Sequence, residues 1–190
     1  MTPEEATAAA SRLCAACGMC CDGTLFHIVR MQPTDSVGAL NALGLKLKKK
    51  KGQNCIEQPC AMFKNMQCSI YAGRPERCRL FECQQLKRLA AGTITEAQAM
   101  ATIHEARRRV DEVLGLIEQA GHHNLKQPLT VRYDRVMALP LSDEWEPEQV
   151  ILREELRALM TGLQVLLSLE FKPPLPPIHE ESSVQADPVP

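Results

Sequence analysis

Nine cysteines, all placed before residue 84, are the residues of this chain able to do chemistry. Four stand in the run Cys14-Ala-Ala-Cys17-Gly-Met-Cys20-Cys21, and five follow as Cys55, Cys60, Cys68, Cys78 and Cys83. Sulfur at that density either ligates metal as thiolate or closes disulfides, and the redox compartment separates the two. The first residues, Met-Thr-Pro-Glu-Glu-Ala, are acidic where a secretory signal carries positive charge and an apolar run. No apolar stretch approaches the ~20 residues that span a bilayer. The expectation is a soluble, cytosolic protein, in which stable disulfides do not persist. An odd cysteine count and the adjacent Cys20 and Cys21 suit a metal cage better than a bridge framework.

Two C-x-x-C steps share Cys17, which predicts Cys14, Cys17 and Cys20 on one tight loop with converging sulfurs. Such a C-x2-C-x2-C run is the spacing of bacterial ferredoxins, where a fourth cysteine completes a four-iron cluster. Gly18 after C-x-x-C points the other way, because it lets backbone amides turn toward sulfur in the knuckles of zinc sites. Both metals take thiolate, so ligand softness does not separate them. The second group, Cys60-x7-Cys68-x9-Cys78-x4-Cys83, brings the total to enough sulfur for two four-thiolate sites or one polynuclear site.

That second group reads Cys60-Ala-Met-Phe-Lys-Asn-Met-Gln-Cys68-Ser-Ile-Tyr71-Ala-Gly-Arg74-Pro75-Glu-Arg-Cys78-Arg79-Leu-Phe81-Glu-Cys83. With the upstream C-x-x-C-G-x-C-C run, residues 14–83 resemble the YkgJ-type cysteine-cluster family of zinc- or iron-chelating domains, which includes flagellin lysine N-methylases. The resemblance implies metal ligation by Cys14, Cys17, Cys20, Cys21, Cys60, Cys68, Cys78 and Cys83, with an iron–sulfur cluster or zinc as cofactor and a redox or methyl-transfer role. Cys55 lies outside the motif and is the expected supernumerary thiol. The alternatives are a non-enzymatic zinc-stabilised interaction module, and metal storage or delivery. No acid–base pair, Ser/His arrangement or Gly-rich cofactor loop is recognisable.

Other groups near the sulfurs have two readings each. Arg79 follows a candidate ligand, and its fork of donors would offset thiolate charge. Arg74 precedes Pro75, which favours extended backbone and would aim the guanidinium back at the site. For both, the competing reading is an ordinary ion pair with Glu76 or Glu82. His27 lies in an apolar segment, His104 on a helix, and His122 and His123 just after Gly121, where positive charge suits a helix end. None of the histidines is expected to be a ligand.

The elements that must position the cysteines follow from periodicity. Thr2 to Arg12 predicts a short leading helix, with Pro3 in its first turn and Glu4 and Glu5 facing the dipole. Leu25 to Met31 predicts a strand. Val37, Leu40, Leu43 and Leu47 recur at helical spacing behind Asp35 and Ser36, and the run Lys46 and Lys48 to Lys51 reads as a solvated helix end and loop. Beyond Cys83 the pattern becomes helical throughout. Thr93 and Glu96 predict a capping box, and Met100, Ile103, Val110, Val113, Leu114 and Ile117 one apolar stripe that ends at Gly121. A second helix is expected from near Pro147 to about Phe171 on Leu152, Leu156, Leu159, Leu163 and Leu166. Leu129 to Leu139 is open between strand and helical turn.

The predicted fold is mainly α, with an irregular metal-bound cysteine-rich module and two long C-terminal helices packed on it. The division is 1–92 for the cysteine module, 93–171 for the helical segment and 172–190 for a disordered Pro-rich tail. A formal net charge of −1 supplies no field for DNA or an anionic membrane. Aromatics make up 4% of the chain, leaving few anchors for a core between Cys14 and Cys83, so a metal staple would contribute to folding there. The expected partners are the metal or cluster and a protein on the helical surface, without nucleic acid or membrane.

Overall fold

The computed structural model describes residues 2–139 and 147–173. Helix α1 runs over Pro3–Cys17, and Thr2 and Glu5 close its capping box. It runs five residues past the expected end, because alanines carry helical propensity beyond Arg12 until Gly18 takes the left-handed cap at φ 63°. Cys14 and Cys17 therefore ride on the last helical turn, and the tight loop predicted for them begins only after Gly18.

Strand β1 (Ile28–Arg30) falls within the expected segment. Helix α2 (Val37–Ala42) is capped by the Ser36 side chain, which accepts from the Ala39 amide. It stops short of Leu47 because Gly44 turns the chain at φ 90°. The lysine run then forms an exposed strand, β2 (Lys48–Lys50), where a helix end and loop were expected. Its partner β3 (Gln53–Glu57) supplies the reason: Glu57 pairs with both Lys48 and Lys50, the latter at 3.0 Å. Charged lysines on an edge strand also discourage further strand pairing. The sheet is antiparallel in the order β1-β3-β2, and a two-stranded hairpin follows from β4 (Phe63–Lys64) and β5 (Gln67–Cys68).

A 3-10 turn over Tyr71–Gly73 leads into two short helices, α3 (Glu76–Leu80) and α4 (Gln84–Ala90). Helix α5 spans Glu96–Gln119, and its capping box is formed by Thr95 and Gln98, two residues after the expected pair. Thr93 is occupied elsewhere, donating to the Arg88 carbonyl at 3.0 Å, while Glu96 holds Arg12 at 2.7 Å. The Leu129–Leu139 segment resolves as helix α6 (Leu129–Met137), and α7 runs over Pro147–Glu170. From residue 174 on, the predicted tail lies outside the described residues.

The chain is mainly α with small sheets. One apolar cluster links Leu13 and Met19, the α5 residues Ile103, Val110, Val113 and Ile117, the α7 residues Leu156, Met160, Leu163 and Leu167, and Phe171. On α7 the most buried line includes Met160 and Leu167, so Leu159 and Leu166 flank the core instead of filling it. A second cluster, centred on Leu40, Leu45 and Ile56, lies under the sheet. Among the described residues no helix is long and apolar enough to cross a membrane.

Candidate metal centre

The candidate sulfurs sit on the last turn of α1, in the turn after it, and on the short elements that follow. Cys14 and Cys17 close α1, and Cys20 and Cys21 lie in the turn after Gly18. Cys60 precedes β4, Cys68 ends β5, Cys78 is on α3, and Cys83 occupies the cap position before α4. Backbone contacts draw the two sequence groups together. The Cys60 amide donates to the Cys21 carbonyl at 2.8 Å. A Cβ on Gly18 would lie 2.5 Å from Phe63 Cζ, so any other residue there would have to displace the Phe63 ring from the end of α1. Phe26 and Phe81 meet edge to face with centroids 4.9 Å apart, tying the first run to the segment before Cys83.

Contacts to the helical core hold this assembly from outside. Asp22, next to Cys21, pairs with Arg107 of α5, both side chains about one-fifth exposed. The Gln84 amide donates to the Phe171 carbonyl at 3.1 Å, and Gln85 Nε2 donates to the Glu170 carbonyl at 2.9 Å. The turn at Cys83 is thereby fastened to the end of α7.

Cys14, Cys17, Cys20, Cys21, Cys60, Cys68, Cys78 and Cys83 all line one cavity of about 720 Å³ with largely apolar walls. Cys55 does not line it; it is fully buried in β3, opposite Arg30 on β1 and Lys48 on β2. All nine thiols are free of disulfides. Burial is the first cause of every resolved cysteine shift, and all are upward. Cys17 and Cys21 are pushed up to about 12 and Cys78 to about 11. Neighbouring thiols reinforce this, while backbone amides oppose it: Met19 for Cys17, Met62 and Phe63 for Cys60, Leu86 and Gln85 for Cys83. Amides aimed at sulfur are the knuckle arrangement of thiolate metal sites.

Among the described residues, no three His, Cys, Asp or Glu side chains are gathered so as to hold an ion as they stand. The fit of zinc or iron therefore rests on the donor set. Eight thiols around one cavity match the thiolate preference of both metals, and a bound cation would supply the positive charge that closely set thiolates lack.

Arg74 reaches the cavity wall, with its guanidinium carbon 3.6 Å from the Tyr71 ring centroid and its Nε donating to the Tyr71 carbonyl at 3.0 Å. Its charge opposes the upward shifts of Cys14 and Cys78. Glu76 is engaged elsewhere, accepting from the Thr34 hydroxyl. Arg79 is exposed and absent from the wall, because the α3 turn carries it away from the cavity; Arg77 lines the wall in its place. His27 is exposed and bonded to Thr130, and among the described residues no histidine lines the cavity. His122 departs from expectation: burial, then Arg132 and Arg135, lower its pKa, so its surroundings disfavour the positive charge expected at the helix end.

Three positioning residues escaped the sequence reading, and a fourth was read only in part. Gly18 was visible as a knuckle glycine, but its approach to Phe63 was not. Asp22 carried no signal beyond its place beside Cys21. Gln58 and Gln85 line the cavity at 4% and 1% exposure, and the Oε1 atom of each has no hydrogen-bond partner. Neither glutamine gave any signal in the sequence, since burial of a polar residue between distant segments leaves no local pattern.

Residues 13–107 match the CxxCxxCC family, described as "Putative zinc- or iron-chelating domain". No curated protein and no solved structure matches the chain. The match reaches beyond the cysteines into α5, whose Arg107 holds the cysteine run through Asp22. With half of its length in that match, the chain belongs to the CxxCxxCC family of zinc- or iron-chelating domains.

Proposed function

We propose that this protein is a thiolate metal-binding protein in which Cys14, Cys17, Cys20, Cys21, Cys60, Cys68, Cys78 and Cys83 hold zinc or an iron–sulfur cluster. The observation that carries this reading is the placement of eight thiols on one cavity wall and the exclusion of the ninth. The metal works first as a staple. Residues 1–92 form the metal module and 93–171 its helical support. The sheet side of the module has a small apolar core, and a bound cation supplies folding energy that such a core lacks.

A redox role is the second reading, favoured by the C-x2-C-x2-C spacing and the apolar cavity wall, which together suit an iron–sulfur cluster. An iron–sulfur cluster supplies one-electron chemistry when bound; zinc supplies none. Anaerobic purification with metal and sulfide analysis tests both readings. Iron with equimolar acid-labile sulfide supports the redox centre, colourless protein with firmly held zinc supports the staple alone, and a chain that retains neither metal overturns chelation.

A further inference from the structure

We infer that the eight thiols form two separate four-thiolate centres, Cys14/Cys17/Cys20/Cys83 and Cys21/Cys60/Cys68/Cys78, set back to back across the Cys20–Cys21 peptide bond. This deepens the chelation reading above and rests on it. The backbone already separates the sets. The first is built where the end of α1 packs beside α4, with Cys14 and Cys17 on one helix and Cys83 at the start of the other. The second is built on the β4–β5 hairpin. There Cys60 is bonded through its amide to Cys21, Cys68 pairs in register with Phe63, and Cys78 follows on α3.

The turn after Gly18 divides the first run between the sets. The Cys21 and Asp22 amides both donate to the Gly18 carbonyl, at 2.8 and 3.1 Å, and it is the Cys21 carbonyl that receives the Cys60 amide. Arg74 shares the cavity wall with Cys14 of one set and Cys78 of the other.

Each set also has its own orphaned acceptor. Gln58 stands two residues before Cys60 and Gln85 two residues after Cys83, both buried with Oε1 unpaired. Four thiolates per centre is the complement that closes a structural zinc site or holds a cubane cluster.

Zinc titration of the reduced, full-length, zinc-free chain under a competing chelator, read by native mass spectrometry, tests the division. The wild-type chain should take two zinc ions. Cys83→Ser and Cys60→Ser should each keep one tightly held ion, Cys17→Ser with Cys83→Ser should also keep one, and Cys60→Ser with Cys83→Ser should keep none. Loss of all metal from either single variant, or of both ions from the Cys17/Cys83 double variant, would overturn the division in favour of one polynuclear centre. If the variants fail to fold, alkylation mapping of the one-zinc wild-type species decides. Protection of one complete set of four supports the proposal, and protection that mixes the sets overturns it. A wild-type chain that binds neither zinc nor iron overturns the chelation reading itself.

Discussion

The helical and cysteine-bearing regions are held together by different means. Among the described residues the cluster spanning α1, α5 and α7 contains twenty buried members, whereas the cluster under the sheet contains three. Long helices bury whole apolar stripes, so the first region needs no further staple. Strands of two to five residues bury little, and the second region instead gathers thiols around an open space. The difference teaches where metal energy has to act: on the hairpin, α3 and the turns, with α5 and α7 as a frame that stands without it. Gln85, Glu170, Asp22 and Arg107 are the joints between the two.

Metal removal should break the contrast most visibly. Structural zinc in small thiolate domains is worth about 10–16 kcal/mol of coupled folding and binding. Stripping metal with a chelator should collapse amide-exchange protection across residues 48–83 while protection in α5 and the core turns of α7 persists. Equal loss in both regions would show that they fold as one metal-dependent unit. Next in size is Phe171→Ala. Phe171 is fully buried and its carbonyl receives the Gln84 amide, so truncation should cost about 3–5 kcal/mol in denaturant unfolding. It should also weaken metal binding through Cys83. Loss of stability with unchanged metal affinity would mean that the joint transmits nothing.

Legibility in the sequence followed the same boundary. The stripes of α5 and α7 stood out because 3.6-residue periodicity is a local pattern, and the errors there were small shifts, Thr95 for Thr93 and Met160 for Leu159. The thiols on the cavity wall were legible by type and motif. Their grouping was not, because the neighbours of Cys21 lie 39 to 57 residues away in sequence. The lysine strand was missed for a related reason: Lys48 and Lys50 are fixed by Glu57, and propensity alone reads five nearby lysines as solvated. Gly18 was legible as a turn residue but not as a contact.

Gly18→Ala sharpens the comparison at a single atom. Its left-handed φ of 63° already costs a side chain about 1–2 kcal/mol, and the new Cβ would also press on Phe63 Cζ and Met66 Cε. Stability should fall by at least that amount, and metal affinity should fall with it, because the α1 end and the hairpin are driven apart. Gly38→Ala is the matched control. It lies inside α2 with nothing within 4 Å of the added Cβ, and helical alanine should leave stability unchanged or raise it by about 0.5–1 kcal/mol. Equal behaviour of the two variants would remove the contact from the account.

The smallest expected effect lies on the frame and depends on pH. His122 follows α5, and its Nε2 is buried without a hydrogen-bond partner. Burial first, then Arg132 and Arg135, hold its pKa below the ordinary value of 6.5; Gln127 opposes the shift, although its own Oε1 also lacks a partner. The folded chain therefore binds the proton less readily than the unfolded chain does. That contribution to stability is complete above about pH 6.5 and is lost as pH falls, because protonation favours the unfolded state. Wild-type protein should lose denaturant midpoint between about pH 7.5 and pH 5.5, and His122→Asn should lose less over the same interval. Exchange protection should fall at the α5–α6 turn and not around the cysteines, since His122 does not line the cavity. An acid response that is identical in both proteins would place the sensitive groups elsewhere and leave the helical frame without a titrating joint at this turn.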